Sequence, residues 1–154
     1  MSEIYFLGTT KPLAHTEYKF KDVIPDMDSD GMLYSDGIRF EENLWSDAVA
    51  TGVRKILKGC RIYAVQTTLG LDYEVRYKQA YGPQTAADMI KILNWLKDFM
   101  SAQINKGSKV YLIKLWQGKE ISPKEVKKEE IQTNAWTIFG DGDIIFGYGT
   151  LYEF

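Results

Sequence analysis

Between Asp22 and Asp47 the chain carries eight acids, Asp22, Asp26, Asp28, Asp30, Asp36, Glu41, Glu42 and Asp47, against one base, Arg39. Carboxylates at such density can hold a hard cation, move protons or attract a basic partner. The rest of the chain leans the other way. Residues 1–50 hold ten acids and four bases, a net of −6, whereas residues 51–154 hold eleven acids and fifteen bases, a net of +4. A segment this acidic repels the phosphate backbone, so no nucleic-acid partner is expected. Its chemistry fits a positively charged protein, with Asp26, Asp28, Asp30, Asp36, Glu41 and Glu42 as steering charges and Tyr34 and Trp45 as aromatic anchors.

A metal reading of the same residues fails on spacing. Asp26-Met27-Asp28-Ser29-Asp30-Gly31 resembles the opening of an EF-hand calcium loop, and Leu33 even supplies the apolar residue that follows. The twelfth position needs a bidentate glutamate, and the chain has Gly37 there, with Asp36 one place early and Glu41 too late. The flanks are a proline and a strand-like run instead of helices. The stretch is therefore expected to be an acidic loop, with no metal and no cofactor.

Other constellations are as thin. His15 is the only histidine, so any Ser-His-Asp or Cys-His mechanism must use it, and it lies in a polar stretch with no nucleophile elbow anywhere in the chain. Cys60 is the only cysteine, which excludes an intramolecular disulfide and a cysteine-based zinc cluster and fits a reducing compartment. It reads as a small buried hydrophobe. Gly140, Gly142, Gly147 and Gly149 fall in a hairpin-like stretch and do not form a phosphate cradle between strand and helix. Paired carboxylates such as Asp141 and Asp143 could serve general acid-base catalysis, but sequence cannot bring them together.

The elements that must position these residues centre on 83–106. Ala86, Met89, Leu93, Leu96, Met100 and Ile104 form one helical stripe, which Ile92, Trp95 and Phe99 widen on one side. Pro83 suits the start, Thr85 is expected to cap with Asp88, and Gly107 to close the end. A second helix is expected over 43–58, with Arg54, Lys55 and Lys58 at its C-terminus and Gly59 beyond. Strands are expected over 3–7, 32–40 as a hairpin, 60–68 and 71–78. A further strand is expected over 110–116, apolar on both faces apart from Lys114, and a last hairpin over 135–154. Tyr18, Phe20, Val23 and Ile24 suit an edge piece, and Ser122-Pro123-Lys124-Glu125 is expected to open a short third helix.

These elements predict a single α+β domain over 1–154. Its sheet is mostly antiparallel with about six strands, and the two long amphipathic helices pack on one face. No stretch approaches the length of a membrane span, and the N-terminus lacks a secretory pattern, which points to the cytoplasm. The function expected is that of a non-catalytic protein-binding module, an inhibitor of the immunity-protein, antitoxin or phage-encoded type, acting on a basic partner; a homodimer is left open. The alternative is a small enzyme or small-molecule binder using carboxylates in a pocket between sheet and helix.

Overall fold

The computed structural model describes residues 3–20, 37–42, 47–67, 70–116, 120–127 and 130–154. The order of elements is β1 (Glu3–Thr9), β2 (Glu17–Lys19), β3 (Gly37–Glu41), α1 (Asp47–Ile56), β4 (Arg61–Thr67), α2 (Tyr77–Tyr81), α3 (Pro83–Asn105), β5 (Val110–Trp116) and β6 (Leu151–Glu153), with a 3-10 turn at Ala135–Ile138. The strands form one open sheet in the order β2-β3-β4-β1-β5-β6. Every pairing in it is antiparallel, so the chain is α+β.

The first strand ends up in the middle because it is apolar on both faces. Tyr5 and Leu7 join Tyr63, Val65 and Leu112 on one side, while Ile4 and Phe6 join Ala64, Ile113 and Leu115 on the other. A strand with two dry faces needs neighbours on both edges and cover on both sides. The cover on the first side is α3, which buries Ala86, Met89, Ile92, Leu93, Leu96, Phe99 and Met100. Trp95 and Phe99, which widen its apolar arc, meet the β2-β3 edge. The Phe40 ring stacks on Phe99 at 4.9 Å, Phe99 on Trp95 at 5.1 Å, and Tyr18 leans on Trp95 at 4.8 Å. The end of α3 forms as its sequence requires. Gly107 adopts φ +90, the Ser108 amide donates to the Gln103 carbonyl, and Lys11 Nζ donates to the Lys106 carbonyl.

Several expectations need correction. The long helices do not share a face: Val53 and Leu57, at the end of α1, pack with Ile4, Phe6, Ile113 and Leu115, opposite α3. The physical cause is the second dry face of β1 and β5. Only α3 is long; α1 has 10 described residues, and 43–46 lie outside the description. Thr85 does not cap α3. Gly82 is the N-cap, without a side-chain bond, and Asp88 is buried with the Gln84 amide donating to it at 3.0 Å.

The alternating run 71–78 pairs only at Tyr73, which bridges Ile144, and then turns into α2. Tyr73, Tyr77 and Tyr81 are spaced by four, which fits one face of a strand and one turn of a helix equally. Here the chain turns helical after Tyr73 and the rings meet edge to face, at 6.0 and 5.2 Å. Ser122 and Glu125 do make one arm of a capping box, but 123–125 close only a turn and no helix follows over 122–127. The C-terminal hairpin is also absent: 135–138 is a 3-10 turn, and β6 is three residues long and pairs with β5. Left-handed conformations at Asn134 (φ 58) and Gly149 (φ 69) break the run into turns.

One glycine carries the second face. A Cβ at Gly52 would stand 2.3 Å from the Ile121 carbonyl oxygen, so α1 and 120–127 touch backbone to backbone. Alanine there gains about 1 kcal/mol of helix propensity. We nevertheless expect Gly52→Ala to lower stability by about 1–3 kcal/mol, the usual range for overpacking, as a lower urea midpoint. An increase would mean that α1 does not pack on Ile121 as described.

Candidate functional site

Two groups of carboxylates stand out, and they sit in opposite environments. The first lies at the β2-β3 edge. Thr16, Glu17, Arg39, Phe40, Glu41 and Glu42 line an open groove of about 270 Å³. Antiparallel register sets Glu17 beside Arg39, so both project from the same side of the sheet. Arg39 reaches Glu17 at 3.8 Å, and Arg61 donates to Glu42 at 2.7 Å. All four side chains are about half exposed, so these pairs are screened by water and salt and leave the charges available. Glu41 closes β3 and is half-buried. Of the residues expected to bind a partner, only Glu41 and Glu42 are thus brought together. Asp26, Asp28, Asp30, Tyr34, Asp36 and Trp45 lie outside the described residues. Among the described residues, no three His, Cys, Asp or Glu side chains converge as a metal-ligand group.

The second group surrounds a buried lysine and was not singled out as a site from the sequence. Lys114 stands in β5 with 6% of its surface exposed. It is the Cα partner of Tyr5 on β1, so it shares the α3 face of the sheet with that ring. Lys114 Nζ donates to Asp72 Oδ2 at 2.6 Å, lies 3.6 Å from Glu3 Oε1 and sits 5.8 Å above the Tyr5 ring. Asp72 Oδ1 accepts the Phe146 amide hydrogen at 3.0 Å. Both oxygens of Asp72 are therefore engaged, by different segments.

These contacts follow from local structure. Leu71 and Tyr73 point into the core, and the Tyr73-Ile144 bridge, with amide bonds of 2.8 and 2.7 Å, fixes Asp72 between them. Burial, followed by the charge of Asp72 and the hydrogen bond it accepts, pushes the Tyr5 hydroxyl far above the usual phenol range. Tyr5 therefore stays protonated and acts as a donor. On the surface nearby, a hydrogen bond to Glu74 and then partial burial push Tyr77 up to about 12. A signal for the buried group did exist in the sequence: Lys114 is the only charge in Val110–Trp116. Nothing in sequence, however, says which carboxylate it meets.

Comparison with family models, curated proteins and solved structures finds no match for this chain.

Removing one partner of a buried pair leaves a charge without compensation, which costs about 3–5 kcal/mol. Asp72→Ala is expected to fall in that range by chemical denaturation, whereas Glu42→Gln should leave the midpoint nearly unchanged. Equal effects would contradict the burial described here. Alkaline titration supplies a second check. Because Tyr5 ionises less readily folded than unfolded, stability is full below the ordinary phenol value and falls as pH rises above it. Tyr5→Phe should flatten that alkaline loss, and an unchanged slope would count against the buried hydroxyl.

Proposed function

We propose that the protein is a non-catalytic binding module of the immunity-protein, antitoxin or phage-encoded inhibitor kind, which holds a basic protein at its acidic β2-β3 edge. The observation that supports this reading best is the groove at that edge, open to solvent and lined by Glu17, Glu41 and Glu42. Asp36 immediately precedes β3 in the chain, so the acids of 22–36 continue the same charge. Three carboxylates against Arg39 leave the groove net negative, and a concave surface with a net charge focuses its field and speeds encounter with an opposite charge. Glu42 and Glu17 are held by arginines, which positions their carboxylates without neutralising the edge as a whole. A basic side chain of a partner can replace either arginine at small cost, because exposed pairs contribute about 0–1 kcal/mol in general. We place the module in a reducing cytoplasm, where Cys60 stays a thiol; partial burial raises its thiol above the ordinary range and so lowers its reactivity. The competing reading required carboxylates gathered between sheet and helix. Asp72 and Glu3 do gather on that face, but around Lys114.

A partner captured from the native host decides the matter through kinetics. Asp30→Lys and Glu41→Lys should each slow association at low salt by about tenfold or more, and the difference should shrink as the Debye length falls to about 8 Å at physiological salt. Dissociation should change less, since steering acts on encounter. If both variants associate at the wild-type rate at low salt, the acidic edge is a solvated surface and the partner sits elsewhere.

A further inference from the structure

The Lys114 cluster holds a buried amine, a carboxyl group, a second carboxylate and a backbone amide donor, which is more than an ion pair requires. We propose that Lys114 and Asp72 become joined by an isopeptide bond that the chain forms on itself, with Glu3 as the catalytic proton carrier.

The geometry supplies each part of an acyl transfer. Nζ is held 2.6 Å from Asp72 Oδ2, which brings the amine against the carboxyl carbon, and both groups come from rigidly placed elements. The Phe146 amide donates to Oδ1 at 3.0 Å, and Nζ lies 5.8 Å from the centre of the Tyr5 ring. The amide is a donor placed where negative charge would develop. Glu3 Oε1 is 3.6 Å from Nζ, and its side chain is 40% exposed, so protons can be exchanged with solvent there.

The step balances without a co-reactant. Nζ first passes one proton along its hydrogen bond to Oδ2, which turns the ion pair into a neutral amine and a carboxylic acid. The nitrogen lone pair then adds to Cγ, the C–N bond forms, and the carbonyl pair moves onto Oδ1, facing the Phe146 amide. Glu3 takes a second proton from the nitrogen and delivers it to Oδ2. The Oδ1 pair re-forms the carbonyl, the C–Oδ2 bond breaks, and water leaves. Glu3 is a carboxylate again, and the product is a neutral secondary amide.

Burial makes the product favourable in this place. A charge at a site as buried as Lys114 carries a desolvation penalty, and the amide removes the charges of Lys114 and Asp72 while keeping the Phe146 bond to Oδ1. The link closes a loop of 42 residues that contains α2 and α3, in a chain whose single cysteine cannot form an internal disulfide.

Mass spectrometry of the full-length protein, denatured and purified, tests the proposal. The wild type should be lighter than its sequence by one water. Trypsin should release a branched product in which residues 62–76 are joined to residues 110–119, with no cleavage after Lys114. Lys114→Met, and Glu3→Gln with a native circular dichroism spectrum, should both have full mass. A wild type at full mass with normal cleavage after Lys114 overturns the proposal. So does a water loss that persists in Lys114→Met, which would instead map to a succinimide at a site such as Asp141-Gly142. A folded Glu3→Gln variant that still cross-links overturns the role given to Glu3.

Discussion

The pairing of β1 with β5 is the constraint on which the other elements depend. Tyr5 and Leu7 beside Leu112 make one apolar surface, and Ile4 and Phe6 beside Ile113 and Leu115 make another. Each such side chain gains about 1.5–3 kcal/mol when fully buried, so leaving either surface wet would forfeit an amount comparable to a domain's whole net stability. One surface is met mainly by α3, joined by Leu71, Tyr73, Ile144 and Phe146. The other is assembled from pieces: Val53 of α1 and Leu57 just after it, then Ile121, Val126 and Leu151. Small residues make that assembly close. A Cβ at Gly8 would stand 3.0 Å from Leu57 Cδ1, so the side chain that follows α1 sits directly on the central strand.

A lysine in such a strand needs an explanation, since a leucine would fill the position without a desolvation penalty. Lys114 stands where the α3 face is covered by the segments around 71–74 and 144–146, which pair with each other through one bridge only. Apolar contact alone would let such short segments slide, because hydrophobic burial has no direction. A carboxylate with one oxygen on Lys114 and the other on the Phe146 amide does have direction. Asp72 thereby ties β5, the approach to α2 and the C-terminal segment to one another. The aromatic rings complete the enclosure: Phe146 meets Tyr5 edge-on at 6.0 Å and Tyr152 at 5.5 Å.

How much of this was legible in the sequence depended on whether a pattern had one structural meaning. The stripe from Ala86 to Ile104 fits only a helix, and α3 matches the expected 83–106 to within a residue at each end. Residues 110–116 read as a strand covered on both faces, and β5 is one. Spacing by four at Tyr73, Tyr77 and Tyr81 had two meanings, and the helical one prevailed once Tyr73 had found its single bridge. The side of the sheet taken by α1 was not legible, since amphipathicity shows that a helix has a core face without showing which layer that face meets. At the candidate sites, the acidic edge was visible as composition. The buried cluster was not, because Glu3, Asp72 and Lys114 are far apart in sequence and only register brings them together.

Position, more than charge count, decides what each carboxylate can do. At 4 Å two unit charges interact by about 1 kcal/mol in bulk water and by about 4 kcal/mol at an effective dielectric near 20, typical of pairs near a protein surface. Glu17 and Glu42 lie toward the watery limit, so their pairs with Arg39 and Arg61 add little to folding, and their influence is a field that extends about a Debye length outward. That suits recognition, where a charge must act before contact and be free to change partners. Asp72 lies toward the other limit. Its field is spent on one amine and one amide, it cannot exchange them without opening the core, and its reactivity is confined to atoms already in contact. The same functional group therefore serves long-range attraction at the β2-β3 edge and local chemistry beside β5. The division follows from the sheet itself, whose edge strands are wet and whose central strands are dry.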